Sequence, residues 1–287
     1  MNIAFVDLKR QNKHYWREFT KIVHQTLRDA IFVGGKPVEQ FEKKFARLCK
    51  RTYCVSLNSG TDALWFALMA YGIGPGDEVI AVPNTYFSTV QVISNIGATP
   101  VFVDVDPVSF TLDVSRVKQA ITKKTRAIIP VHLFGQSADM DPIVQLAKQY
   151  KLHIIEDCCQ AHGAEYKTRV LPYTDTGAFS FYPGKNLGAF GDGGALVTDN
   201  KRIRDTVLRL RNDGSTIKYV HTVLGYKSRL DTMQAAILSA KLPYLTSWNE
   251  ARRRMANLYH RLLRDIPQVK TPKEMPYARH VYHIYCI

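Results

Sequence analysis

No stretch of the 287-residue chain is apolar over the length a bilayer crossing needs, and no signal-peptide pattern opens it, because Asp7, Lys9 and Arg10 interrupt early. The expectation is a cytoplasmic protein with no membrane partner. Cysteine is scarce and unpatterned: Cys49, Cys54, Cys158, Cys159 and Cys286 are odd in number and lack metal-ligand spacing. That excludes a disulfide scaffold and points to reduced thiols with no metal. Acidic residues are the short suit, 25 against 39 Lys and Arg, for a formal net charge of +14. Such an excess raises nucleic acid as a partner. The basic residues are nevertheless scattered, and the densest run, Arg252, Arg253 and Arg254, sits in a helical pattern that also carries Glu250 and Asp265. No nucleic-acid motif accompanies the charge, so the expectation is no nucleic acid, with an acidic small molecule as beneficiary.

What the chain does have is alternation. Val38, Phe41, Phe45 and Leu48 fall at steps of three and four, an amphipathic helix with one buried face. Further on, short β-branched runs at 78–82, 101–103, 127–131, 153–155, 178–181 and 195–197 are separated by helix-like stretches such as 88–96, 115–121 and 142–150. This predicts a mainly parallel sheet with helices on both faces. In such sheets ligands gather beyond the carboxyl ends of the strands, where Tyr86, Asp157 and Lys185 fall.

Three stretches carry chemistry. In FSFYPGKNLGAFGDGG, glycines flank Lys185 and let the backbone turn tightly beside a flat ligand. A lysine held there is a candidate amine nucleophile, although a lone lysine near glycine is more often a surface residue. In NSGTDALWFALMA, Asn58, Ser59, Gly60 and Thr61 read as a turn and N-cap, with unpaired N–H groups that suit a phosphate. Most such caps only cap. Asp157 ends a strand-like run, where a buried carboxylate costs several kcal/mol unless it meets a cation or strong donors.

NSGTDAL, PGDEVI, PNTY, GATPVFVDVD, IIEDCCQAHGA, FSFYPGKNLGAFGDGGALVT and RLDTMQAAIL, in this order, resemble the DegT/DnrJ/EryC1/StrS group of pyridoxal 5'-phosphate (PLP)-dependent sugar aminotransferases, which are fold-type I aminotransferases. The resemblance runs from about Phe5 to the last residues. It implies an α/β fold with a mainly parallel seven-stranded sheet sandwiched by helices. Residues 1–232 would form the large PLP-binding domain, and 233–287 a linking helix and the start of a small carboxy-terminal domain that is largely missing. Lys185 would bind PLP as a Schiff base and move the substrate proton, and Asp157 would hold the pyridine nitrogen protonated. Ser59, Gly60, Thr61 and Ser180 would bind the phosphate; Gln160 would lie by the phenolic oxygen and Tyr86 would stack on the ring. His162 follows the family pattern with a structural role as its default.

The resemblance further implies a homodimer with shared active sites, the segment 225–231 reaching into the neighbouring subunit. There this chain carries Lys227 where an asparagine touching the partner's PLP phosphate is usual. In KTRVLPYTDTG it carries Thr168 and Leu171 near positions where glycines are usual, which suggests a reshaped loop. Asp192, before the paired glycines, resembles members acting on 3-keto rather than 4-keto nucleotide sugars. The implied reaction passes an amino group from L-glutamate to a nucleotide-linked keto deoxy sugar, for amino-sugar or surface-polysaccharide biosynthesis. The alternatives are a truncated PLP-binding remnant with little transaminase activity, and a sugar dehydratase of the same family, which Lys185 disfavours because those carry histidine there.

Overall fold

The computed structural model describes residues 4–287. Helices α1 (Leu8–His14) and α2 (Trp16–Asp29) lead to α3 (Lys36–Leu48), which buries Val38, Phe41 and Phe45 as the spacing predicts. The alternating region then supplies β1 (Tyr53–Leu57), α4 (Gly60–Ala70), β2 (Glu78–Ala81), α5 (Ser88–Asn95), β3 (Thr99–Phe102), α6 (Val114–Ala120), β4 (Thr125–Ile128) and α7 (Met140–Tyr150). After these come β5 (His153–Ile154), β6 (Glu156–Asp157), a hairpin of β7 (Glu165–Tyr166) and β8 (Arg169–Val170), β9 (Gly177–Ser180) and β10 (Gly194–Thr198).

The strands pair in the orders β3-β2-β4-β5 and β1-β10-β9-β6. The two groups form one surface, because β5 and β6 are halves of one extended stretch. Within it the Ile155 N–H donates to Ile128 O at 3.1 Å and the Asp157 N–H to Pro130 O at 2.9 Å, while the Glu156 N–H donates to Thr176 O on the other side at 3.0 Å. Counting β5 and β6 as one strand, the expected seven-stranded sheet is present. Its pairings are parallel except at β10, which runs antiparallel to both β9 and β1.

Adjacent residues of each strand feed different cores. Ile80, Phe179 and Val197 join Phe41, Phe45 and Phe181 on one face. Val79, Ala81, Ala178 and Leu196 join Leu64, Phe66, Leu68 and Val207 of the covering helices on the other. Both faces are therefore dry, which explains the continuous apolar runs in the sequence. Each large side chain so buried contributes roughly 1.5–3 kcal/mol of transfer free energy.

Helices α8 (Lys201–Leu210), α9 (Thr232–Lys241) and α10 (Leu245–Leu263) complete the layers. A bare apolar stripe remains on α10, where Met255, Leu258, Tyr259 and Leu262 are exposed. The chain then doubles back. A short strand, Ala278–Arg279, pairs antiparallel with β7, and Val281 and Tyr282 are buried, Val281 in the same core as Phe41 and Phe45.

The loop between β7 and β8 is a tight hairpin turn. Two residues make the turn, Lys167 at φ 46° and Thr168 at φ 68°. Left-handed backbone at both positions is the physical reason glycine suits this turn, and this chain forms it with two L side chains.

Candidate active site

The carboxyl ends of β6 and β9 and the start of α4 face one cavity of about 420 Å³. Ser59, Gly60, Thr61, Tyr86, Asp157, Gln160, Ser180 and Lys185 all line it, so the structure brings together eight residues spread over more than a third of the chain.

Its floor is the amino terminus of α4. Ser59 is the N-cap, its Oγ accepting from the Asp62 N–H at 3.1 Å. Thr61 Oγ1 donates to Ser88 Oγ at 3.0 Å, which ties α4 to α5. The fit is too close for side chains at two glycines. A Cβ on Gly60 would lie 2.7 Å from Cys159 Sγ, and one on Gly194 2.1 Å from the Ser59 carbonyl carbon. The result is a backbone cradle at the positive end of a helix dipole, a seat for a phosphate.

At the other end stands Asp157, 5% exposed. Thr89 Oγ1 donates to its Oδ2 at 2.8 Å and the Cys159 N–H to its Oδ1 at 3.1 Å. Two donors fix the orientation of the carboxylate. The strand beneath it is braced by a buried pair. The Ala138 N–H donates to His132 Nδ1 at 3.1 Å, so His132 Nε2 carries the proton it gives to Glu156 at 2.9 Å. Burial alone would raise the Glu156 pKa; the bonds from His132 and Thr174 outweigh it and hold the carboxyl below its ordinary range. Cys158 lies within 4.8 Å of the pair, but both His132 nitrogens and the Glu156 carboxylate already have partners, so the trio reads as a structural brace.

Lys185 sits half-buried on the turn after β9, its N–H donating to Tyr182 O at 2.9 Å while the Ala189 N–H closes the loop on Phe181 O at 2.8 Å. Lys241 of α9 steadies the same loop from behind, donating to Gly188 O at 2.7 Å. Gln160 accepts the Phe134 N–H through Oε1 at 2.8 Å, which leaves its amide NH2 as the free donor. Tyr86 stands at the mouth, 72% exposed.

His162 is buried against Phe179 and Phe181, and both its ring nitrogens lack a hydrogen-bond partner among the described residues. Burial, then the charge of Lys185, pushes its pKa down to about 3. Lys227 is the one expected site residue that this chain does not bring to its own cavity. It is exposed, on a segment bridged to Asn212. Sequence reasoning missed Thr89, Cys159 and Tyr182, which also line the cavity, and took Asp192, another lining residue, only as a marker of the sugar class. Thr89 had a signal: a buried acid needs a donor, and NTYFST supplies hydroxyls where the chain enters α5.

An amine, an acid and a helix-terminal phosphate seat around one cavity fit pyridoxal phosphate. Fold and site together define a PLP-dependent aminotransferase of fold-type I. The chain belongs to the DegT/DnrJ/EryC1/StrS aminotransferase family, whose profile matches residues 14–287. It is 44% identical to a "pleiotropic regulatory protein" of Geobacillus stearothermophilus, over all of this chain and 78% of that protein. It is 43% identical to the dTDP-3-amino-3,4,6-trideoxy-alpha-D-glucose transaminase of Streptomyces venezuelae, over 99% of this chain and 76% of that one. Among solved structures, S. venezuelae DesV in complex with a ketimine intermediate superposes with a TM-score of 0.97 at 44% identity, covering 99% of this chain and 76% of that one. No described helix is long and apolar enough to cross a membrane.

Proposed function

We propose that this protein transfers the amino group of L-glutamate to the C3 keto group of a nucleotide-linked deoxy sugar, leaving 2-oxoglutarate and an amino sugar for polysaccharide or related biosynthesis. Bound PLP supplies an electron sink for the carbon that loses its proton. The residues named above supply the rest. Lys185 would hold the cofactor covalently at rest and carry the proton to and from the substrate carbon. Asp157, oriented by Thr89 and the Cys159 N–H, would pair with the ring nitrogen and keep a proton there. Ser59, Gly60, Thr61 and Ser180 would bind the phosphate, the Gln160 NH2 would be the donor available to the phenolic oxygen, and Tyr86 would stack on the ring. Closure over the substrate would exclude water and position the reactants.

The working unit we propose is a cytoplasmic homodimer. Two observations support it: Lys227 lies outside its own chain's cavity, and the hairpin of Ser215–Ile217 and Val220–His221 exposes Ile217, Tyr219 and Val220, with Leu224 just beyond. Lys227 of each subunit would then offer a point charge to the other's PLP phosphate. The reading as a decayed remnant finds no support in the fold, because sheet, cradle and lysine loop are all in place.

The observation that carries the function is that Asp157 and Lys185 share one cavity with the α4 amino terminus. Purified protein mixed with PLP should gain visible absorbance that Lys185→Ala lacks. L-Glutamate should discharge that absorbance with release of 2-oxoglutarate, and a dTDP- or UDP-linked 3-keto sugar should restore it. Absorbance that survives Lys185→Ala, or no response to glutamate, would count against the assignment.

A further inference from the structure

Directly after Lys185 comes Asn186, 3% exposed, which spends both amide hydrogens: one on Asn249 Oδ1 at 2.9 Å, the other on Val281 O at 3.1 Å. Its Oδ1 can therefore only accept. His283 Nδ1, 3.2 Å away, must be the donor, which fixes the tautomer of that ring. Asn249 of α10, itself 5% exposed, passes the chain on by donating to His162 O at 2.8 Å. Gly163 follows at φ +77°, and a Cβ there would crowd Asn249 Nδ2 at 3.1 Å.

The segment that provides Val281 and His283 is itself held firmly. Arg252 Nη1 donates to Tyr282 O at 3.3 Å and His283 O at 3.1 Å, Arg253 Nη1 donates to His280 O at 2.7 Å, and the Val281 N–H donates to Gly135 O at 2.9 Å. The lysine loop, α10, the turn after Asp157 and residues 280–283 thus meet at Asn186, on a buried network in which each named donor has an acceptor. Buried polar networks of this kind select one geometry, since any slip leaves a desolvated group unpaired.

We propose that residues 280–283 are a positioning strap for the lysine loop: Val281 O and the His283 imidazole hold Asn186, and through it set how Lys185 presents its amine to the cavity. The proposal rests on the reading of Lys185 as the residue that bonds the cofactor. His283 is suited to the part because burial, followed by the charges of Lys185 and Arg252, pushes its pKa down to about 3, so it stays a neutral Nδ1–H donor. Neither Val281 nor His283 lines the cavity. They act through Asn186 and are positioning residues.

The test uses the full chain as apoprotein, in wild type, His283→Ala, His283→Gln, Asn186→Ala and Lys185→Ala forms. One measurement is the rate at which visible absorbance develops on adding saturating PLP. The other is the equilibrium affinity for pyridoxamine 5'-phosphate, which lacks the aldehyde and reports ring and phosphate binding alone. His283→Ala and Asn186→Ala should slow the absorbance change about tenfold, the weight of one buried hydrogen bond, with pyridoxamine phosphate affinity held. His283→Gln, which keeps a side-chain donor, should restore most of the rate. Wild-type rates in the alanine variants would overturn the proposal, as would pyridoxamine phosphate affinity falling in step with the rate. Should Asn186→Ala fail to fold, the half-buried His283 pair decides alone. Wild-type protein with no more visible absorbance than Lys185→Ala would instead overturn the reading of Lys185, and the strap with it.

Discussion

Thr89 Oγ1 donates to Asp157 Oδ2 at 2.8 Å, a buried bond between the second residue of α5 and the end of β6, 68 positions apart in the chain. It ties the helix packed beside α4 to the acid at the far end of the cavity proposed to hold the cofactor.

Thr89→Val keeps the shape and removes this donor. A hydrogen bond to a charged group contributes about 1.5–3 kcal/mol, and urea unfolding of the apoprotein should register a loss of about 2 kcal/mol. PLP affinity, followed by fluorescence titration, should weaken several-fold because the carboxylate is freed to turn. Thr89→Ser should behave as wild type in both measurements.

The β7–β8 turn makes a prediction of opposite sign. Thr168, a β-branched residue at φ 68°, holds left-handed backbone that costs an L residue roughly 1–2 kcal/mol. Thr168→Gly should raise the urea midpoint by the equivalent of about 1 kcal/mol and leave cofactor affinity untouched. A lowered midpoint would mean that the threonine side chain stabilises the hairpin in some other way.

Acid sensitivity should begin earlier than the carboxylates alone would set it. Burial is the first cause that pushes His162, His280 and His283 down to about 3 from an ordinary 6.5. Their folded pKa lies below the unfolded one, so between these values the unfolded chain binds protons that the folded chain refuses. Stability is unaffected above about 6.5 and falls as pH drops towards 3. Glu156, held below its ordinary 4.5, adds its own loss only under that value. The window between 6.5 and 4.5 therefore belongs to the histidines. Urea midpoints across it should fall less steeply in His162→Phe than in wild type, and equal slopes would remove His162 from the account.

The sheet and its cofactor ends were legible because their signals are local. Apolar runs of strand length, the Ser59 cap of α4 and the glycines around Lys185 each impose a backbone shape on a few neighbouring residues. The chemistry of Lys185 and Asp157 followed from where those shapes end, and the resemblance supplied the ligand. Lys227 reads differently: it is exposed outside its own chain's cavity, and a single chain's sequence pattern does not say which molecule a surface meets.

What the amino-acid sequence determined by itself, then, is the alternation of core strands with covering helices, and the amine, acid and phosphate-seat candidates at their ends. Tertiary structure alone decided which donors hold them. Asn186 meets Val281 across 95 positions and Asn249 across 63, and no periodicity or cap encodes such a pairing. These bonds exist because folding buries polar atoms that must then find partners at whatever chain distance the packing provides.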